Sequence, residues 1–177
     1  SPAGRFLAQN PTPLSINFVH HSQLGGLGQS SAEFLAAWGA HQIENPSSDN
    51  DIHDMLATFG SCTDNLITRP SGMDVATQYL GLCTVYDGRQ YQSLAWPFES
   101  LMLGLWHTGH KIATHTHLQA QHTIPQTLST LAQQALSAII HNDEQAFLTC
   151  IHAYRQALQH AHFEAPTTTT YLKHLMC

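Results

Sequence analysis

The opening part of the chain changes from a strand pattern to a helix pattern. Residues 1–13 carry three prolines and a glycine, and this composition predicts an irregular start. Residues 14–19 then alternate apolar and polar positions, which predicts a half-buried strand. A glycine-rich segment follows, and the apolar positions of residues 32–40 fall on one side of a predicted helix that Ser30 or Ser31 caps. The predicted order is strand, glycine loop and helix.

The middle of the chain mixes short helices with a hairpin. Residues 49–59 predict a helix with acidic residues in its first turn, where the helix dipole favours negative charge. Residues 74–79 predict a second short helix. Residues 82–86 and 91–94 predict two strands, because the Asp87-Gly88 pair between them is typical of a tight turn.

The last part of the chain has mainly the period of helices. It begins with an apolar run of strand length at residues 101–106. After a polar segment, two apolar faces predict two antiparallel helices that are separated by a break at His141-Asn142. Asn142 and Gln145 resemble a capping box at the start of the second helix, and residues 167–176 predict a third helix. The whole pattern predicts the α+β class.

The composition supports a folded chain and excludes one class of partner. Hydrophobic residues make up 42% of the 177 residues and charged residues only 10%, which is enough apolar material for a core. Six Lys and Arg stand against twelve Asp and Glu, giving a formal net charge of -6. Because six scattered cations cannot form a positive stripe along the surface, we expect no nucleic-acid partner.

The cysteine spacing and the hydropathy bear on the compartment. The four cysteines are far apart and form no CxxC pair, which is typical of a reducing cytoplasm. No apolar run approaches the ~18 residues that a membrane-spanning helix needs, and no charged-then-apolar leader opens the chain. We therefore expect a cytoplasmic protein without a membrane partner.

The glycine segment is the first candidate for chemistry. In Gly25-Gly26-Leu27-Gly28-Gln29-Ser30-Ser31, glycines let backbone N–H groups crowd an anion, and the following helix offers unpaired donors. The segment matches neither the P-loop pattern nor the GxGxxG fingerprint. Taken alone, it is more typical of a tight connection than of a phosphate site.

A second motif changes that interpretation. Pro70-Ser71-Gly72-Met73-Asp74 follows at a distance that suits a second active-site loop. Together the two motifs resemble the GHMP kinase superfamily, in its mevalonate and phosphomevalonate kinase-like branch. In that family a GLGSSA-type loop cradles the ATP phosphates, and a PSGxD loop places its aspartate beside the substrate hydroxyl. Asp74 taken alone is as typical of a helix N-cap as of a catalytic group.

The resemblance implies an activity and a set of site residues. The activity is transfer of the γ-phosphoryl group of ATP, with Mg²⁺, to a hydroxyl or phosphate of a mevalonate-like metabolite. Asp74 is the implied catalytic residue, and Ser30 is the implied magnesium ligand. The implied ATP-binding residues are Gly25, Gly26, Leu27, Gly28, Gln29, Ser30 and Ser31, and the implied substrate-binding residues are Arg69, Ser71, Gly72 and Lys111. Arg69 and Lys111 are equally well explained as solvated surface charges.

The resemblance also implies a two-lobed architecture. Residues 1–97 would form an N-terminal ribosomal-S5-domain-2-like lobe with the phosphate loop and the catalytic aspartate. Residues 98–177 would belong to a C-terminal ferredoxin-like α/β lobe, mainly helical in this chain. A small-molecule substrate is the implied partner, and a homodimer stays open.

Three departures from the family pattern leave alternatives open. The family's N-terminal motif and its C-terminal glycine-rich motif have no counterpart in residues 1–177, and the fold is expected to be incomplete. The glutamate that mevalonate kinases carry shortly before PSGxD is replaced by Thr63, with Asp64 adjacent as a substitute. One alternative is therefore a catalytically inactive relative that binds nucleotide or serves a structural role.

Clustered histidines suggest a third alternative, a zinc module. Imidazole is a common zinc ligand, and five histidines fall close together. The spacing matches no standard zinc pattern well, and a polar loop explains the cluster more often. These residues are His107, His110, His115, His117 and His122.

Overall fold

The fold is α+β and mostly helical, with a small two-stranded antiparallel sheet. The computed structural model describes residues 1–18, 28–46, 51–64, 70–104 and 125–164, together with residue 168. The chain divides into two compact units, Ser1–Ala95 and Trp96–Cys177. Across the described ranges, no helix is both long and apolar enough to cross a membrane. The assignment of residues 1–97 and 98–177 to two kinase lobes stays a prediction.

The first unit combines helices with one hairpin. Its described elements are α1 (Pro2–Gln9), α2 (Gln29–Glu44), α3 (Ile52–Ser61), α4 (Met73–Leu80), β1 (Cys83–Tyr86) and β2 (Tyr91–Leu94). The strands pair antiparallel, with Cys83 opposite Leu94 and Tyr86 opposite Tyr91, which confirms the predicted hairpin. Helices are also confirmed within residues 32–40, 49–59 and 74–79, with shifted ends.

The prediction of an irregular start is wrong for α1. Ser1 caps this helix, because its Oγ accepts a hydrogen bond from the Gly4 N–H at 3.2 Å. Pro2 lies in the first turn, where proline is favoured since its missing N–H would have no partner there in any case. Phe6 is buried. The proline at the start of the chain therefore opens a helix instead of interrupting one.

The predicted strand at residues 14–19 is also wrong for its described part. Residues 14–18 have no regular secondary structure, but Ile16 and Phe18 pack against the core of the unit. The alternation therefore reports which side chains are buried, while no neighbouring strand pairs with the backbone among the described residues.

The core of the first unit is built on aromatic contacts between helices. Phe6 from α1 and Phe59 from α3 each meet the Phe34 ring of α2 edge-on, with ring centroids 5.7 and 5.1 Å apart. Trp38 of α2 meets Tyr79 of α4 edge-on at 5.8 Å. Such pairs each contribute about 0.5–1.5 kcal/mol beyond their burial. This core fixes α2 against α1, α3 and α4, and thereby positions the site described below.

The second unit is a helical hairpin with an aromatic cluster before it. Its described helices are α5 (Gln126–Ile140) and α6 (Glu144–His160), which pack against each other. The Phe147 ring of α6 lies 5.4 Å from Trp96 and 5.1 Å from Phe98. The Trp96 indole N–H donates to the Phe98 carbonyl at 2.9 Å. Two antiparallel helices are confirmed, and the predicted helix at 167–176 falls outside the described ranges apart from residue 168.

The start of α6 differs from the predicted capping box. Asp143 is the N-cap, and its Oδ1 accepts a hydrogen bond from the Ala146 N–H at 2.9 Å. Asn142 instead takes a left-handed φ of 55° between the two helices. Asparagine tolerates this conformation better than most residues, which explains its place in the break.

The predicted strand at residues 101–106 is wrong for its described part. Residues 101–104 have no regular secondary structure, and residues 105 and 106 lie outside the described ranges. Met102 and Leu103 are 96% and 85% exposed. An apolar run of this length predicts burial in a strand, but residues 101–104 pair with no strand among the described residues, and only Leu101 of the four is half-buried.

Candidate functional site

The glycine loop ends at the first turn of α2. Gly28 is the residue before the helix and has a left-handed backbone, with φ 71° and ψ 22°. Its carbonyl accepts hydrogen bonds from the Ser31 N–H at 3.1 Å and the Ala32 N–H at 3.0 Å. The prediction that Ser30 or Ser31 caps the helix is wrong, because Gly28 takes that position without a side-chain cap and both serines lie inside the first turn.

The second motif repeats this geometry at the start of α4. Gly72 precedes the helix with φ 75° and ψ 1°, again in the left-handed region. A Cβ at this glycine would lie 3.0 Å from Leu56 Cδ2, so there is little room for a larger residue at this position. The Ser71 Oγ accepts a hydrogen bond from the Met73 N–H at 3.4 Å. Since Gly72 is the N-cap, the N-cap interpretation of Asp74 is wrong.

The two motifs meet through a serine and an aspartate. The Ser31 hydroxyl donates a hydrogen bond to Asp74 Oδ2, which joins residues 43 positions apart in the sequence. Ser31 is only 1% exposed, whereas Asp74 is exposed. The buried serine therefore holds a carboxylate that faces solvent beside the first turn of α2. Both groups lie at helix N-termini, where the dipoles favour negative charge.

A second hydrogen bond joins the same two helices one turn further along α4. Gln78 Nε2 donates to the Gly28 carbonyl at 3.0 Å. A Cβ built on Gly28 would lie 2.3 Å from that nitrogen, so the glycine leaves room for the amide. Gln78 is not among the site residues predicted from the sequence. The available signal is its spacing, because residues 74 and 78 are four apart on one helix and share a face.

The remaining residues of the predicted phosphate loop that the structure describes are exposed. Gln29 Nε2 donates to Glu33 Oε1 at 3.0 Å, within α2. Ser30 is exposed in the first turn, next to the contact between Ser31 and Asp74. Mg²⁺ prefers oxygen ligands and keeps several waters together with phosphate oxygens. A single exposed serine hydroxyl at a helix N-terminus suits that mode of binding.

The structure describes Thr63 and Asp64 at the end of α3. Thr63 is buried, and its hydroxyl donates to the Phe59 and Gly60 carbonyls at 3.1 and 2.9 Å. It therefore completes hydrogen bonding at the end of α3. Asp64 is exposed. Of these two residues, only Asp64 carries an exposed carboxylate.

Several predicted site residues lie outside the described ranges. They are Gly25, Gly26, Leu27, Arg69 and Lys111, together with His107, His110, His115, His117 and His122. Among the residues that the structure does describe, no group of three or more His, Cys, Asp or Glu side chains could hold a metal ion. The zinc alternative therefore stays a prediction.

Comparison of the chain with protein-family models, with curated proteins and with solved structures found no match. The two motifs and the hydrogen bond that joins them are therefore the basis for assigning a function.

Proposed function

We propose that the chain carries the phosphate loop and the catalytic aspartate of an ATP-dependent small-molecule kinase of the GHMP type. The observation that carries the proposal is the hydrogen bond between Ser31 and Asp74, because it brings the two motifs of the resemblance to one place. Ser31 belongs to the first motif and Asp74 to the second, and the contact joins a buried hydroxyl to an exposed carboxylate.

Asp74 is the residue that receives the proton in this proposal. The acceptor hydroxyl attacks the γ-phosphorus of ATP, the bond from the γ-phosphorus to the β–γ bridging oxygen breaks, and ADP leaves. Asp74 orients the hydroxyl and accepts its proton, while Ser31 fixes the orientation of the carboxylate. Catalysis of this kind depends on positioning and charge neutralisation, so a fixed carboxylate beside an anion-binding helix end is suitable.

The first turn of α2 binds the triphosphate in this proposal. Backbone N–H groups and the positive end of the helix dipole attract phosphate oxygens. Ser30 is exposed there and would be the magnesium ligand, whereas the hydroxyl of Ser31 is already committed to Asp74. Bound Mg²⁺ would supply charge neutralisation at the phosphates.

The proposal includes the substrate class, the larger fold and the compartment. The substrate is a mevalonate-like metabolite, since PSGxD is most similar to that branch, and the units would belong to the two lobes of a GHMP kinase. The described cysteines Cys62, Cys83 and Cys150 are free thiols, which suits the cytoplasm.

The proposal is tested by coupled detection of ADP release with mevalonate and with phosphomevalonate. Wild type should turn over with one of them, and Asp74→Asn should lose turnover. Asp54→Asn is the matched control, because Asp54 is also an exposed aspartate in the first turn of a helix, α3. Both variants lose a similar interaction with a helix dipole. If Asp74→Asn keeps the full rate, the assigned role is wrong.

ATP binding without turnover would favour the inactive relative. That alternative has one observation in its favour, since the contact between Ser31 and Asp74 also joins α2 to α4 as a structural hydrogen bond. Stoichiometric zinc in the purified protein would favour the histidine module instead.

A further inference from the structure

Gln78 contacts the start of α2, and the kinase motifs do not include it. It lies on α4 one turn beyond Asp74, and its side chain is exposed apart from the hydrogen bond that its Nε2 donates to the Gly28 carbonyl at 3.0 Å. The bond joins residues 50 positions apart in the sequence. It reaches the backbone at the point where the glycine loop enters α2.

The Gly28 carbonyl controls the direction of the chain at this point. It accepts the Ser31 and Ala32 N–H groups as well as the Gln78 amide. Because a peptide unit is planar, fixing this carbonyl also fixes the N–H of the residue that opens α2. The Gln78 amide therefore orients the first peptide of the phosphate-binding turn.

Two contacts now link α4 to the start of α2. Asp74 holds Ser31, and Gln78 holds Gly28, from positions four apart on the same helix face. The contact between Trp38 and Tyr79 holds the two helices together further along, and the two hydrogen bonds fix the distance between the carboxylate and the turn at their N-terminal ends. We propose that Gln78 is a positioning residue, which sets the first turn of α2 relative to Asp74.

The glycine and the glutamine depend on each other. A Cβ at position 28 would lie 2.3 Å from Gln78 Nε2, and carbon and nitrogen do not approach so closely without a bond. Glycine at position 28 is therefore needed for the approach of Gln78, in addition to the left-handed φ of 71°.

The expected kinetic effect rests on the proposed function. Gln78→Ala should raise KM for ATP about five-fold with little change in KM for the acceptor, which corresponds to the ~1 kcal/mol of one hydrogen bond. Gln78→Glu should give a similar or larger rise, because an ionised carboxylate cannot donate to the carbonyl. Thr77→Ala is the matched control, since the exposed Thr77 hydroxyl donates within α4 to Met73.

A second readout does not depend on activity. Hydrogen exchange of the Ser31 and Ala32 amides should be about five-fold faster in Gln78→Ala and Gln78→Glu than in wild type, by the same hydrogen-bond magnitude. Unchanged far-ultraviolet circular dichroism would show that the variants fold.

The two readouts separate failure of the inference from failure of the kinase proposal. The positioning role is supported if both Gln78 variants show faster exchange and a raised KM for ATP. Thr77→Ala should show neither change. Unchanged exchange overturns it, whatever the activity. Faster exchange with an unchanged KM in an active protein overturns it as well. A wild type that neither turns over nor binds ATP overturns the kinase proposal and the catalytic part of this role, while exchange still decides whether Gln78 holds the turn.

Discussion

Replacement of Gly28 by alanine tests the geometry of the site by its cost in stability. Gly28 has a φ of 71°, and the left-handed region costs a residue with a Cβ about 1–2 kcal/mol. The new Cβ would lie 2.3 Å from Gln78 Nε2, so the amide must move and its hydrogen bond to Gly28 is lost, at about 1 kcal/mol. We expect Gly28→Ala to lower the free energy of unfolding by about 2–3 kcal/mol.

The same helix offers a matched control. Gly39 lies inside α2, and a Cβ there would meet nothing within 4 Å. Glycine within a helix is less stable than alanine by about 0.5–1 kcal/mol, so Gly39→Ala should stabilise the protein by that amount. Equilibrium unfolding in urea, extrapolated linearly to water, measures both variants. The two alanine substitutions in α2 should therefore act in opposite directions.

A third variant separates the two parts of the cost. In the Gln78→Ala background the close contact is gone, so Gly28→Ala should cost only the ~1–2 kcal/mol of the left-handed backbone. The prediction is wrong if the free energy of unfolding of Gly28→Ala stays within about 0.5 kcal/mol of wild type, the range typical of a neutral surface substitution. It is also refuted if the cost is the same in both backgrounds.

Three further predictions concern the N-cap of α6, the turn of the hairpin and the buried Ser31. Asp143→Ala should lower the free energy of unfolding by about 1 kcal/mol, because α6 loses its N-cap, and thermal unfolding without a shift in midpoint would contradict this. Hydrogen bonds from the Gln90 N–H, which has the larger effect, and from the Arg89 N–H lower the pKa of Asp87. The ionised carboxylate therefore stabilises the turn above pH ~4, and this stabilisation is lost as the pH falls through the pKa of the folded state. As the pH is lowered below ~4, the urea midpoint of Asp87→Asn should therefore fall less steeply than that of wild type. Equal slopes would contradict the stabilisation of the turn by the Asp87 carboxylate. Ser31→Ala should lower stability by about 1 kcal/mol, because the buried hydroxyl holds Asp74, while the exposed Ser30→Ala should not, as urea unfolding of both variants would show.

The hairpin and the helix pattern could be predicted from the sequence because their signals are local. Asp87 and Gly88 form the turn, and the Asp87 Oδ1 accepts the Arg89 and Gln90 N–H groups at 2.8 Å each. By contrast, the alternation of residues 14–19 predicts a strand, and residues 14–18 do not form one. Alternation reports which side chains face a core, and pairing depends on whether another strand lies alongside, which the local pattern does not contain.

The candidate site was predictable only in part, for a related reason. The resemblance predicts that the glycine loop and Asp74 belong to one active site, but it does not predict the hydrogen bond between Ser31 and Asp74, and neither periodicity nor charge pairs these two residues. The role of Gln78 could not be predicted from the sequence, because its partner is a backbone carbonyl. Every residue has such a group, so the sequence carries no mark at position 28 that points to position 78.

The role of Asp74 is tested by measuring both MgATP affinity and phosphoryl transfer for Asp74→Asn and for wild type. Asparagine keeps the shape of the side chain and an oxygen for the Ser31 hydroxyl, but it is a poor proton acceptor. The proposed role predicts that the Kd for MgATP changes by less than about two-fold while turnover falls by about 10²- to 10⁴-fold, the range of general-base catalysis. Turnover that survives the substitution, or a loss of affinity that matches the loss of turnover, would contradict the assignment of Asp74 as the proton acceptor.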